Sequence, residues 1–165
     1  MILAIDPGNE QSAWVAISDS DYKPLSFGKA DNKDMLSLIY SDMGWCANGI
    51  AIEMIGHYGT GMPVGESVFD TCVWIGRFVE ASANINDSDV EFIKRKTIVN
   101  HLCGSARGND ASIKQALVDR FAKGVSNHGK GTKKNPGWFH GFHSDIWQAY
   151  ALGVTYLDMR KGNKR

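Results

Sequence analysis

Two short apolar runs in this chain each end in an acid. Residues 1–5 (MILAI) are stopped by Asp6-Pro7-Gly8-Asn9, and residues 49–52 (GIAI) are stopped by Glu53. Runs of this length bounded by turn residues predict buried strands. Residues 13–17 (AWVAI) and the alternating stretch 22–27 predict two more strands, joined by a Ser18-Asp19-Ser20-Asp21 turn into an antiparallel meander. Met35, Leu36, Leu38, Ile39 and Met43 recur at helical spacing over 34–43, and Val68, Cys72, Ile75, Gly76 and Val79 do so over 64–83. Residues 90–93 (VEFI) predict a further strand. A short helix over 96–103 is ended by Gly104, and Asn109 and Asp110 cap another whose apolar stripe is Ile113, Ala116, Leu117 and Phe121. Ile146, Ala149, Tyr150, Gly153 and Tyr156 mark a last helix. Two stretches break the periodicity. GHYGTGMPVG, residues 56–65, reads as a loop, and residues 123–142, with six glycines or prolines, four lysines and no acid, read as a linker.

A chain of 165 residues with 43% hydrophobic content can build one core. The order of elements predicts a single α/β domain spanning residues 1–165, its mixed five-stranded sheet carrying helices on both faces. No apolar run reaches the ~18 residues of a membrane span, and the N-terminus lacks a basic flank and a long apolar stretch. A soluble, cytoplasmic protein is expected. Cys46, Cys72 and Cys103 are odd in number and lack zinc-ligand spacing, so they are expected to be free, buried thiols.

The formal net charge is zero, but its distribution is uneven. Residues 1–93 hold 14 Asp and Glu against 4 Lys and Arg, whereas residues 94–165 hold 14 Lys and Arg against 4 Asp. A basic half of this kind suits contact with a polyanion, because clustered cations displace condensed counterions from phosphates.

Asp6 and Glu53 at strand ends and Asp145 at the start of the last helix are the acids whose positions suggest chemistry. If the first and fourth strands pair in parallel, their ends project carboxylates into one space, where mutual repulsion calls for a cation. An oxygen-only ligand set suits Mg²⁺, and two such ions activate water and stabilise a leaving oxygen in phosphodiester cleavage. Taken alone, an Asp before Pro-Gly is also a common turn residue, and an Asp at a helix start a common cap.

The segments ILAIDPGNEQSAWVAI, IAIEM and HSDIWQAYALG resemble the three active-site segments of RuvC-like Holliday-junction resolvases, in the RNase H-like nuclease superfamily. VFDTCVWIGRF and HLCGSARGNDASIKQALVDRF resemble the phage-encoded branch of that family. The resemblance implies an RNase H-like fold, a Mg²⁺-dependent endonuclease with two ions per site that Mn²⁺ can replace, and cleavage to 5′-phosphate and 3′-hydroxyl ends. It implies that Asp6 bridges both ions, with Glu53 and Asp145 as further ligands. Cellular members usually carry a second acid three residues before the last, a position held here by Phe142. His143 is the nearest replacement as fourth ligand, and Asp110 is the alternative if its helix packs beside the site.

Branched DNA is the expected partner. His57, Tyr58 and Met62 follow Glu53 in the glycine-rich loop, where a ring can stack on an opened base. Lys94, Arg95, Lys96, Arg107, Lys114, Lys130, Lys133 and Lys134 are candidate phosphate contacts, with Arg107 and Lys114 foremost because they flank the more specific motif. Two matched cuts in a four-way junction require a near two-fold arrangement, so a homodimer is expected, with helix 64–83 as a candidate interface. Two related readings stay open on the residues: a nuclease of the same fold that trims flaps and forks, and a non-catalytic module that holds branched DNA. An actin-like phosphotransferase also uses a strand followed by Asp-x-Gly, but it needs a second domain for which this chain has no room.

Overall fold

In the computed structural model five strands lie in the order β3-β2-β1-β4-β5, with β1 antiparallel to β2, β2 antiparallel to β3, and β1, β4 and β5 parallel. The structure describes residues 1–56, 65–85, 90–105 and 107–162. The strands are β1 (Ile2–Asp6), β2 (Gln11–Ile17), β3 (Pro24–Asp31), β4 (Ile50–Met54) and β5 (Val90–Lys94). Among the described residues six α-helices accompany them, α1 (Asn32–Ile39), α2 (Asp42–Trp45), α3 (Glu66–Ala83), α4 (Arg95–Cys103), α5 (Asp110–Phe121) and α6 (Ile146–Gly162), with a short 3-10 turn at Asn127–Gly129. This is the mixed five-stranded α/β architecture that the sequence predicts. Among the described residues no helix is long and apolar enough to cross a membrane.

The period of two along each strand divides the core into two layers. Ile2, Ala4, Ala13, Val15, Ile17, Ala51 and Ile93 face α4, α5 and α6, while Leu3, Ile5, Trp14, Ala16, Ile50 and Ile52 face α1 and α3. Helix α6 is buried at every position from Ile146 to Leu157, so it is a central helix and not an amphipathic surface one. Gly153 permits its close approach to the sheet. A Cβ there would lie 2.3 Å from Ile17 Cδ1 and 3.1 Å from the Ala4 Cβ.

Several boundaries differ from the sequence reading. The third strand runs over Pro24–Asp31 instead of 22–27, because Tyr22 takes a left-handed turn conformation (φ 64°) and the ladder resumes only at Pro24. The helix expected over 34–43 is two helices. Ser41 Oγ donates to the Leu38 carbonyl at 2.6 Å and accepts from Met43 N at 3.3 Å, ending α1 and capping α2. The stretch 123–142 is an ordered loop instead of a linker. Its 131–137 turn is closed by a bridge between Gly131 and Pro136, and its base is anchored by Phe139 and Phe142, both buried. The cysteines are free as expected but not buried: Cys72 lies on the outward side of α3, Cys46 just follows α2, and Cys103 is half-buried at the end of α4.

The Gly153 contact gives a direct test of the packing. Gly153→Val is expected to lower the melting temperature by roughly 5 °C or more, since overpacking a closed core costs about 1–3 kcal/mol. An unchanged melting curve would mean that α6 does not approach the sheet as described.

Candidate active site

Strand register assembles one row of side chains across the sheet. Asp6 pairs with Ala13, and Ala13 pairs with Lys29. On the other side Ile5 pairs with Ile52, and one residue further along these parallel strands lie Asp6 and Glu53. All of these positions point to the face covered by α6, because Ala4, Ala13, Ala51 and Phe27 on the same parity pack there. The small Ala13 side chain leaves open the space between Asp6 and Lys29.

Helix α6 brings the third acid to this row. The Asp145 carbonyl accepts from Gln148 N at 2.9 Å and from Ala149 N at 3.0 Å, so Asp145 is the residue on which the helix starts. Its carboxylate Oδ2 accepts from Lys29 Nζ at 2.6 Å. Asp6, Lys29, Asp145 and residues 7–11 line a cavity of about 410 Å³ at this edge of the sheet. The turn after Asp6 is fixed from below. Ser12 Oγ donates to Asn32 Oδ1 at 2.6 Å, Asn32 Nδ2 donates to the Gly8 carbonyl at 2.9 Å, and both side chains are buried. Gly8 itself is required by space, since a Cβ would meet the Gln11 carbonyl oxygen at 2.3 Å.

The electrostatics follow from crowding in a poorly hydrated place. Burial, reinforced by Glu53 and Asp145 and opposed by Arg95 and Lys29, pushes the Asp6 carboxyl from 3.8 up to about 8. Burial raises Glu53 as well, against the attraction of Arg95, and the charge of Asp110 adds to the rise. Glu53 Oε2 is buried and accepts no hydrogen bond among the described residues; the nearest cation, Arg95 Nη1, is 3.9 Å away. Arg95 is itself held by Gln148 Oε1 at 2.5 Å and by the carboxylate of Asp110.

The three acids singled out in the sequence therefore share one field. Phe142 is buried in an aromatic cluster with Phe27, Phe139, Trp147 and Tyr150. His143 is exposed beside Asp145, and its carbonyl accepts from Ile146 N at 3.1 Å. Asp110 is exposed too, but it reaches Glu53 through Arg95. Among the basic positions, Arg107, Lys133 and Lys134 are exposed, Lys130 is half-buried, and the Lys114 ammonium sits 5.3 Å above the Trp147 ring. His57, Tyr58 and Met62 lie outside the described residues. Lys29 was not foreseen, because the third strand was expected to stop at residue 27; continuing the hairpin register by two residues finds it. Arg95 was expected to face solvent phosphates and instead turns inward.

The raised Asp6 carboxyl makes stability depend on pH. Because its folded value lies above its ordinary one, protonation stabilises the fold fully below about pH 4, and this contribution is lost as pH rises through about 8. Asp6→Asn, which keeps the volume and cannot ionise, is expected to raise the melting temperature in chelator at pH 8 by roughly 5 °C and to flatten its decline between pH 5 and 8. Equal pH profiles for the two proteins would contradict the crowding.

No protein-family model matches the chain, and no curated protein sequence matches it. Solved structures do. Thermus thermophilus RuvC superposes with a TM-score of 0.64 at 14% identity, covering 98% of this chain and 96% of that one. The same protein in complex with Holliday junction substrate gives 0.62 at 13% identity, covering 98% and 97%. Fowlpox virus resolvase, in complex with its substrate Holliday junction DNA, gives 0.54 at 13% identity, covering 96% and 99%. Over nearly its whole length, the chain has the RNase H-like fold of RuvC and of this viral resolvase.

Proposed function

We propose that this protein is a metal-dependent, structure-specific endodeoxyribonuclease that resolves four-way DNA junctions by paired phosphodiester hydrolysis. The convergence of Asp6, Glu53 and Asp145 at one edge of the sheet carries this reading. Two structures of the same fold hold Holliday junction DNA, which favours a branched substrate over other nuclease targets. The three carboxylates suit a hard divalent cation: they offer only oxygen, Glu53 and Asp145 both disfavour the charge on Asp6, and among the described residues Glu53 Oε2 is buried without a hydrogen bond. Mg²⁺, two ions per site, with Mn²⁺ as substitute, would supply Lewis acidity toward the phosphate and would lower the pKa of the attacking water.

Within that chemistry the chain's own groups have separable tasks. Asp6, on the rigid central strand, and Glu53 beside it form the floor of the site, and Asp145 on the first turn of α6 closes its side. The buried Ser12–Asn32 pair holds the 7–10 turn at the mouth. His143 is the proposed fourth ligand, since it precedes Asp145 by two residues; Asp110 is the alternative, favoured by its action on Glu53 through Arg95. Arg107, Lys114, Lys130, Lys133 and Lys134, with His57 and Tyr58, are the proposed DNA contacts. Lys133 and Lys134 project from a closed turn, which lowers the entropy lost when they meet phosphates.

Labelled four-way, flap and linear duplexes with and without Mg²⁺ test the reading. Paired, metal-dependent cuts in the four-way junction are expected, with at least a hundredfold loss in Asp6→Asn and Glu53→Gln and largely retained junction binding. A marked preference for flaps would shift the assignment to branch trimming, and binding without cleavage would leave a non-catalytic module. In the same assay the more damaging of His143→Ala and Asp110→Asn identifies the fourth ligand.

Paired cuts also need two sites, and α3 is the proposed meeting surface. Phe69 and Val73 on this helix are 62% and 63% exposed, and Tyr40 beside them is 49% exposed. Gly76 continues the same stripe in mid-helix, where a Cβ would meet nothing within 4 Å. A glycine there costs about 1 kcal/mol relative to alanine, an expense that close approach of a second helix offsets. Sedimentation is expected to give a dimer for the native chain and a monomer for Val73→Asp, which should nick junctions singly. A Val73→Asp dimer would place the interface elsewhere.

A further inference from the structure

Glu53 and Asp145 both act on Asp6 electrostatically, yet among the described residues no three carboxylate, imidazole or thiolate groups stand close enough together to hold an ion. Two acids at this edge of the sheet are paired with cations. Asp145 is engaged by Lys29 Nζ at 2.6 Å, and Asp110 is engaged by Arg95. The two cations are held very differently. Arg95 is anchored by Gln148, Asp110 and the charge of Glu53, and its planar fork suits several acceptors at once. Lys29 is a point charge on a flexible stem, its acceptor is the half-exposed Asp145, and it lines the cavity that also contains Asp6.

We infer that Lys29 is a built-in counter-cation of the carboxylate site, which keeps Asp145 paired until a divalent ion displaces it. The inference rests on the metallonuclease reading above and adds a positioning residue to it. Electrostatic economy supports it. An all-carboxylate site without a cation opposes its own folding, and Lys29 supplies positive charge while the site holds no ion. The same charge opposes ion binding, both by occupying Asp145 Oδ2 and by repulsion across a short distance. Lys29 thereby exchanges metal affinity for stability of the metal-free chain. A lysine that merely supported the strand would lower stability and metal affinity together.

Manganese binding, followed by the loss of the free Mn²⁺ electron paramagnetic resonance signal, separates these cases without reference to cleavage. Lys29→Met, which keeps the stem and removes the charge, is expected to bind Mn²⁺ about fivefold more tightly than the native chain and to melt several degrees lower in chelator, with a larger recovery on adding Mn²⁺. Lys29→Arg should bind Mn²⁺ within about twofold of native. Lys29→Gln gives the same affinity reading should the Met variant fold poorly. Equal or weaker Mn²⁺ binding by the charge-removed variants, with native binding intact, would overturn the inference. No Mn²⁺ binding by the native chain would overturn the metallonuclease reading itself, and the inference with it.

Discussion

The constraint on which this structure depends is that carboxylates are brought together where water is scarce. Parallel pairing of β1 with β4 forces two strand ends side by side, and both end in an acid on the same face. Repulsion between such groups is on the order of a few kcal/mol per pair at effective dielectrics near 20. The fold answers it in two ways: burial and the neighbouring acids push the Asp6 carboxyl up to about 8, which favours its neutral form, and Lys29 and Arg95 stand at the flanks. Neither arrangement is the cheapest way to build a stable sheet. Apolar residues at positions 6 and 53 would pack with less conflict, so the conflict itself marks the site.

Helix α6 makes that conflict unavoidable. Its burial on all sides fixes its axis, and the glycine facing Ile17 and Ala4 sets its distance from the sheet. The aromatic cluster of Phe27, Phe139, Phe142, Trp147 and Tyr150 then locks the chain just before its first turn. Asp145 cannot retreat from β1 without disturbing this cluster. Phe142 belongs to that anchor: it is buried, three residues before Asp145, and packs edge-on against Phe27, Trp147 and Tyr150.

Much of this was legible from the chain alone, for definable reasons. Strands β1 and β4 are continuous apolar runs with acids at their ends, a pattern that tertiary context seldom overrides, and the helices of the second half carry clear caps. What escaped depended on register and not on periodicity. Lys29 lies two residues past Phe27, where the alternating pattern stops, and only the pairing with Ala13 reveals its direction. The division of 34–43 rests on one serine whose hydroxyl competes with the helical backbone, a local bond with no apolar signature. The loop at 123–142 reads as a linker by composition, yet its glycines serve close backbone packing: a Cβ on Gly137 would meet the Gly129 carbonyl oxygen at 2.2 Å.

The division of charge along the chain takes on a different meaning once it is folded. A basic second half suggests a broad cationic surface, but several of its cations are used internally. Arg95 serves Glu53 and Asp110, and Arg120 holds Asp158 through two hydrogen bonds of 2.6 and 2.9 Å. Arg160 donates to the Asn48 carbonyl, the Lys161 ammonium lies 3.9 Å over the Tyr22 ring, and Lys114 rests on Trp147. Arg120 and Lys161 are exposed even so, and within the described residues the other exposed Lys and Arg of this half are Lys94, Lys96, Arg107, Lys123, Lys133 and Lys134. A nucleic acid would therefore meet a few discrete contacts, including the closed turn after α5, instead of a continuous basic face. Discrete contacts fix orientation more than they add affinity. If the chain cuts a junction at two sites as proposed, orientation is the quantity that its geometry has to supply.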